Sequence, residues 1–231
     1  MDTSPPARQE HFFQNRNPFV ASDISPRRGI TSRGSLLRKL PIYERSIMKN
    51  KIKKIAAAGV FCAFAYVLTN LGNLIPIRFA GFLSFDPKDA MIVMAGFALG
   101  PWAVVGITLA CAFIESVSIS TTDYIGFIMN VISSLSFALL PSILYKKNRT
   151  FKSAIIGLGI SSVMTVISMM LWNAIVTPFY MHVPREMVMK MLIPTFLPFN
   201  ALKCLINTSL VVFFYKHVMR AMRAAKLIAP K

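Results

Sequence analysis

Acidic residues are scarce in this chain: nine Asp and Glu stand against 26 Lys and Arg in 231 residues, and cysteine and histidine number three each. Each scarcity excludes something. Cys62, Cys111 and Cys204 stand singly inside apolar stretches with no CxxC pair, so neither a disulfide framework nor a zinc site is indicated. They read as small buried side chains. His11, His182 and His217 are dispersed, without a second histidine or cysteine at i+3 or i+4 to complete a metal site. The GxxxxGK[ST] pattern of a P-loop motor is missing, as is any nucleophile–base–orienter set. The chain is therefore not read as an enzyme, and any energy its work needs must come from a partner or a gradient.

What is abundant is apolar surface. Hydrophobic residues make up 55% of the chain, charged residues 15%, and the mean hydropathy is +0.55, values that point to lipid as the solvent. A net charge of +17 raises the question of nucleic acid, but the basic residues interrupt long apolar runs and form no stripe on a soluble face. They read as topology signals, with no nucleic-acid partner.

Two unequal parts follow. Residues 1–47 are rich in Arg, Ser and Pro, lack apolar periodicity, and are expected to be a disordered basic extension. Asp2, Glu10, Asp23 and Glu44 weaken a transit-peptide reading. Met48 opens a more usual membrane-protein start, so the extension reads either as real or as a misplaced start. Residues 48–231 form the membrane domain, with apolar segments near 52–71, 87–99, 101–118, 124–145, 153–176 and 195–215. About 20 helical residues cross a ~30 Å hydrocarbon layer, so the second segment is short. Gly100-Pro101 predicts a tight turn between segments two and three, because proline removes a donor and disfavours helix in the residue before it. The loop with Pro76, Arg78, Gly81 and Phe82, and a second with Pro178, Pro184 and Arg185, are candidate lids.

Lys49, Lys51, Lys53 and Lys54 precede span one; Lys146, Lys147, Arg149 and Lys152 join spans four and five; Lys216, Arg220, Arg223 and Lys226 follow span six. Positive loops face the cytoplasm, and six spans place all three clusters there. The expected fold is thus an all-α membrane protein of about six transmembrane helices with both termini cytoplasmic. Arg78, Lys88, Arg185 and Lys190 are the chief cations of the opposite side.

Polar groups within the spans collect toward that outer side: Asp86 and Asp89 open span two, Glu115 lies near the end of span three, and Asp123 opens span four. Asn130 sits roughly 10 Å below the surface at the helical rise, Asn173 is near the end of span five, and Asn200 and Lys203 open span six. Ionisable groups in a bilayer mark a function or a pair. A pocket open outward and closed below is the expectation. Bland readings stand beside it: Asp86 as a helix cap, Lys203 as a snorkelling side chain, Glu115 as the wall of a wet vestibule. Phe82, Phe85, Trp172 and Tyr180 suit stacking on a flat ring or an interfacial belt. On span one, Ala58-xxx-Cys62 and Gly59-xxx-Ala63 form a small-residue strip that suits close helix approach, either within the chain or onto a separate membrane subunit.

The segments Phe82-Leu-Ser-Phe-Asp-Pro-Lys-Asp89, Phe97-Ala-Leu-Gly-Pro-Trp102 and Leu197-Pro-Phe-Asn-Ala-Leu-Lys203 resemble those of S components, the substrate-binding subunits of energy-coupling factor (ECF) transporters. The likeness spans Met48 to His217 and is most similar to the riboflavin-binding type. Asn130 matches an Asn in span four, and Asn173-Ala-Ile-Val-Thr-Pro-Phe-Tyr180 resembles the end of span five. The resemblance implies Asn130 and Asn173 hydrogen-bonding a flavin ring. It implies capture of riboflavin as a transported ligand, with no resident cofactor. Its implied partners are a transmembrane coupling subunit and two cytoplasmic ATPases, in a bacterial plasma membrane. In span three, Thr108 and Cys111 stand where the riboflavin group tends to carry Glu and Lys, with Glu115 displaced outward. Pantothenate, folate and other vitamins therefore stay open as ligands. A solo or secondary carrier, and an assembly factor or intramembrane enzyme, are the rival classes, against which stand the lack of inverted halves and of converging groups within the bilayer.

Overall fold

A computed structural model describes residues 42–74, 78–79, 83–84, 86–118 and 123–228. Its elements are α1 (Ile42–Leu74), β1 (Arg78–Phe79), β2 (Leu83–Ser84), α2 (Lys88–Leu99), α3 (Pro101–Ser118), α4 (Asp123–Asn148), α5 (Phe151–Met181), α6 (Arg185–Met191), a π-helical turn (Leu192–Phe196) and α7 (Leu197–Ala224). The expected extension, apart from its last residues, lies outside the described residues; α1 already begins at Ile42, upstream of Met48.

Among the described residues, five stretches are long and apolar enough to cross a membrane: Ile47–Gly72, Pro101–Ser118, Tyr124–Asn148, Phe151–Phe179 and Arg185–Ala224. Their outward faces carry large apolar side chains, among them Phe64, Phe113, Val163, Leu171 and Phe213, each more than half exposed. Exposure on that scale would be a liability in water and is the expected surface in lipid. The remaining segment, α2, has 12 residues and spans about 18 Å at the helical rise. It is apolar nearly all round and accordingly buried all round: Ile92, Val93, Met94 and Ala95 have no exposed surface. α2 is the central post of the bundle, packed against α1, α3, α4 and α7.

Local chemistry explains the turns. Gly100 adopts φ 99° and ψ 173°, a conformation open in practice to glycine alone, and Pro101 starts α3 immediately after it. The turn expected at Gly100-Pro101 is there. Between α4 and α5 the chain reverses at Arg149, in the left-handed region at φ 45°, and the Thr150 hydroxyl caps α5 by accepting from the Ser153 N–H at 3.2 Å. This turn, the start of α1 and the end of α7 carry the three basic clusters, and the alternating helix directions bring them to one end of the bundle. There Phe97 stacks on Tyr145 with ring centroids 4.5 Å apart, and the Tyr145 and Tyr215 hydroxyls share a hydrogen bond of 2.9 Å.

The two candidate lids part ways. Pro76, Gly81 and Phe82 of the first lie outside the described residues, while its flanks pair as an antiparallel ladder, Arg78 opposite Ser84. The second is largely helix. α5 continues through Pro178 to Met181, and only His182–Pro184 separate it from α6. A proline inside a helix forfeits one donor, but surrounding helices in lipid leave the rest of the ladder no better alternative. The π-helical turn holds Pro194, whose missing N–H suits the wider turn, and it runs straight into α7.

Glycines set two close approaches. A Cβ on Gly157 would meet the Pro141 Cα of α4 at 2.7 Å, and one on Gly96 would overlap the Ser142 Oγ. Gly159, two positions along from Gly157 and exposed, would meet nothing. Gly157→Ala is expected to cost about 1–3 kcal/mol through overpacking, seen as a lower melting temperature in detergent, whereas Gly159→Ala leaves melting unchanged or raised.

Candidate binding site

The bundle end opposite the basic clusters holds a buried polar network built from five helices. Lys88, the first residue of α2, is 1% exposed, although it reads in the sequence as an outer loop cation. Its ammonium pairs with Asp86 Oδ2 at 2.6 Å, contacts Glu115 Oε2 on α3, and donates to Asn130 Oδ1 on α4 at 3.1 Å. Asn130 Nδ2 donates to the same Glu115 oxygen at 2.8 Å. On α1, Thr69 lies 3.1 Å from Asp86 Oδ1 and 3.1 Å from Glu115 Oε1 as hydroxyl donor, and it also reaches the Ala65 carbonyl at 3.2 Å. Asp86 Oδ1 accepts from the Lys88 N–H at 3.2 Å, so the capping geometry read from Asp-Pro-Lys-Asp coexists with the ion pair.

A second centre adjoins the first. Lys203 on α7 pairs with Asp89 Oδ2 at 3.1 Å and donates to Ser133 Oγ of α4 at 3.2 Å, while Ser134 donates to Asp89 Oδ1. Asn207 locks the two together: its amide nitrogen donates to the Asp86 and Lys203 carbonyls at 3.2 and 3.0 Å, and its oxygen accepts from the Ala90 N–H at 3.0 Å. Three carboxylates thus face two ammoniums, every one of them at most 15% exposed. Such burial is tolerated where each charge finds a partner and the remaining lone pairs and protons are bonded.

Of the residues singled out in the sequence, Asp86, Asp89, Glu115, Asn130 and Lys203 meet in this network. Asn173 and Asn200 are buried but bond along their own helices: Asn173 donates to the Met169 carbonyl at 2.7 Å and accepts from Thr177 at 2.9 Å, and Asn200 donates to the Phe196 carbonyl at 2.8 Å. Trp172 is half-buried beside Asn173. Phe85, Phe82 and the side chains of Tyr180 and Asp123 lie outside the described residues. Antiparallel α5 and α7 meet where Cys204 approaches the Ser162 carbonyl, and Asn173 is about 16 Å further along α5. That places it beyond the network, toward the bundle end. Lys88, Thr69, Ser133 and Asn207 were missed as site residues; the signal available for Lys88 was its place inside the Asp-Pro-Lys-Asp run.

The small-residue strip of α1 divides. Ala58 and Cys62 turn inward, with Cys62 Sγ 3.3 Å from Cys111 Sγ on α3, whereas Gly59 and Ala63 are exposed and a Cβ on Gly59 would meet nothing. On α3, Thr108 and Cys111 occupy the buried face below Glu115, and among the described residues the Thr108 hydroxyl is the one buried side-chain polar atom without a partner.

Residues 53–215 match the family described as ECF transporter, substrate-specific component. The chain belongs to that family. This S component is 24% identical over 180 residues to a riboflavin transporter, RibU, of Staphylococcus aureus (strain TCH60), a match that covers 75% of this chain and 94% of the relative. Its fold is similar to a solved S component of a bacterial ECF transporter, with a TM-score of 0.61 and 24% identity, covering 74% of this chain and 98% of the other. The all-helical membrane fold read from the sequence is the S-component fold, and the family is one of multi-pass transporters rather than enzymes.

Removing one partner of the Lys88–Glu115 pair strands a buried charge. Lys88→Met is expected to destabilise the S component by about 3–5 kcal/mol, read from thermal unfolding in detergent. Combining it with Glu115→Gln recovers part of that loss, and purely additive losses would show that the two side chains do not act as a pair.

Proposed function

We propose that this S component captures riboflavin from the outer side of a bacterial plasma membrane and delivers it inward with a transmembrane coupling subunit and two cytoplasmic ATPases. The observation that carries the reading is the polar network at the end opposite the basic clusters. It concentrates ammonium and carboxylate groups beside an amide, whereas the other buried polar groups are hydroxyls and amides, which suits a ligand with a flat apolar body and a polar edge. The relative named as a riboflavin transporter supports the choice of ligand, as does the match of Asn130 to the flavin-binding pattern. The orientation rests on the positive-inside rule.

In this reading Asn130 presents both a donor and an acceptor to the ring edge, and Lys203 and Glu115 change partners as the ligand enters. Asn173, Asn200 and Trp172 flank the entry beyond them. With no P-loop in the chain, ATP hydrolysis belongs to the partner subunits, and docking uses the exposed Gly59 and Ala63 of α1, where small side chains allow another helix to come close. The α3 positions Thr108 and Cys111, which depart from the riboflavin pattern, favour a different vitamin as the second reading.

Purified protein is expected to carry or bind riboflavin stoichiometrically, seen as flavin absorbance and quenched fluorescence. A protein that stays colourless and ignores added riboflavin but binds pantothenate or folate would replace the ligand and keep the family. Asn130→Ala should weaken riboflavin binding by ~1–3 kcal/mol if the amide pairs with the buried ligand, measured by fluorescence titration. Gly59→Leu should abolish uptake into cells or vesicles containing the coupling subunits while leaving that titration unchanged; lost binding would instead assign Gly59 to internal packing.

A further inference from the structure

Cysteines scattered one to a segment gave no sign of pairing, yet the fold brings two of them together. Cys62 on α1 and Cys111 on α3 have their sulfurs 3.3 Å apart, and the Cys111 thiol also approaches the Cys62 carbonyl oxygen at 3.7 Å. The surrounding contact is well held. α1 and α3 are joined above this point by Thr69 on Glu115 at 3.1 Å and by Tyr66 on Ser118 at 3.0 Å, so the two sulfurs face each other across a fixed helix pair. A disulfide needs its sulfurs at about 2.05 Å, roughly an ångström closer than they stand. The third thiol is engaged elsewhere, Cys204 lying 3.8 Å from the Ser162 carbonyl between α7 and α5.

We propose that Cys62 and Cys111 are a peroxide-sensitive dithiol that closes to a disulfide and staples α1 to α3 beneath the polar network. The two thiols differ in access, which assigns their roles. Cys62 is half-buried on a helix whose neighbouring positions, Gly59 and Ala63, face outward, while Cys111 is fully buried. The oxidant is a hydroperoxide soluble in the apolar layer, such as an oxidised acyl chain. The Cys62 sulfur takes the terminal peroxide oxygen, the O–O bond breaks, and the thiol proton leaves with the alcohol; Cys62 becomes a sulfenic acid. The Cys111 sulfur then displaces hydroxide from that sulfenic acid, the S–S bond forms, and the Cys111 proton leaves with hydroxide as water. Two thiols lose two electrons and one peroxide gains them. The product ties the helix bearing the exposed Gly59–Ala63 face to the helix bearing Glu115, and a dithiol reductant reverses it.

The test uses the full chain in lipid nanodiscs, treated with cumene hydroperoxide, denatured in the presence of N-ethylmaleimide, and weighed intact and as peptides. Wild type is expected to take one maleimide, on Cys204, and to yield a linked peptide joining Cys62 to Cys111; dithiothreitol before blocking restores labelling of all three. Cys62→Ser removes the linked peptide. Full labelling after peroxide, a link through Cys204, or Cys62 carried to sulfinic acid with Cys111 still free for labelling would each overturn the proposal.

Discussion

A charge in hydrocarbon persists only where another group compensates it, and this constraint organises one end of the bundle. Lys88 is shielded from water: it sits at 1% exposure on a helix that is itself enclosed. Its ammonium must therefore be met by Asp86, Glu115 and Asn130, which belong to the α2 entry, α3 and α4. Thr69 brings α1 to the same carboxylates, and Asn207 brings α7 to the same turn of backbone. Satisfying one buried cation thus fixes the mutual placement of five helices. An apolar bundle has weak means of doing so, because lipid tails are as apolar as the helix faces they compete with.

The same constraint separates the two ends. At the basic end the charges lie at the surface, and inside them the hydroxyls of Tyr145 and Tyr215 hold one another in a compact aromatic cluster beside Phe97. Between the ends α2 offers Ile92, Val93, Met94 and Ala95, and a polar solute gains nothing there. Among the described residues, the buried ion pairs lie at the far end. The proposed capture from one side, with partner subunits finishing the crossing, rests on that distribution.

Much of the fold was legible because it rests on local chemistry. Apolar segments of sufficient length gave the spans, Gly100-Pro101 gave the turn, and basic clusters gave the common end. The candidate lid after α5 misled because Pro178 reads as a breaker in water, whereas a helix in lipid, with no water to take up its backbone groups, carries it to Met181. Within the site, Asn130, Glu115, Asp86 and Lys203 were visible as polar residues in apolar surroundings. Lys88 was not, since a lysine at a segment edge looks like a loop cation until the chain is folded around it. Asn207 and the Cys62–Cys111 contact depend on residues brought together from 121 and 49 positions apart, and no local pattern announces such neighbours.

The central claim, that the network around Lys88 is where the ligand is held, is tested most directly by hydrogen–deuterium exchange on the protein without ligand and saturated with riboflavin. The account predicts slower exchange on binding at the start of α2, around Asn130 of α4 and along the first turns of α7, with little change at the basic end. Saturation by riboflavin that leaves those three segments unchanged, or protects the basic end instead, would contradict it.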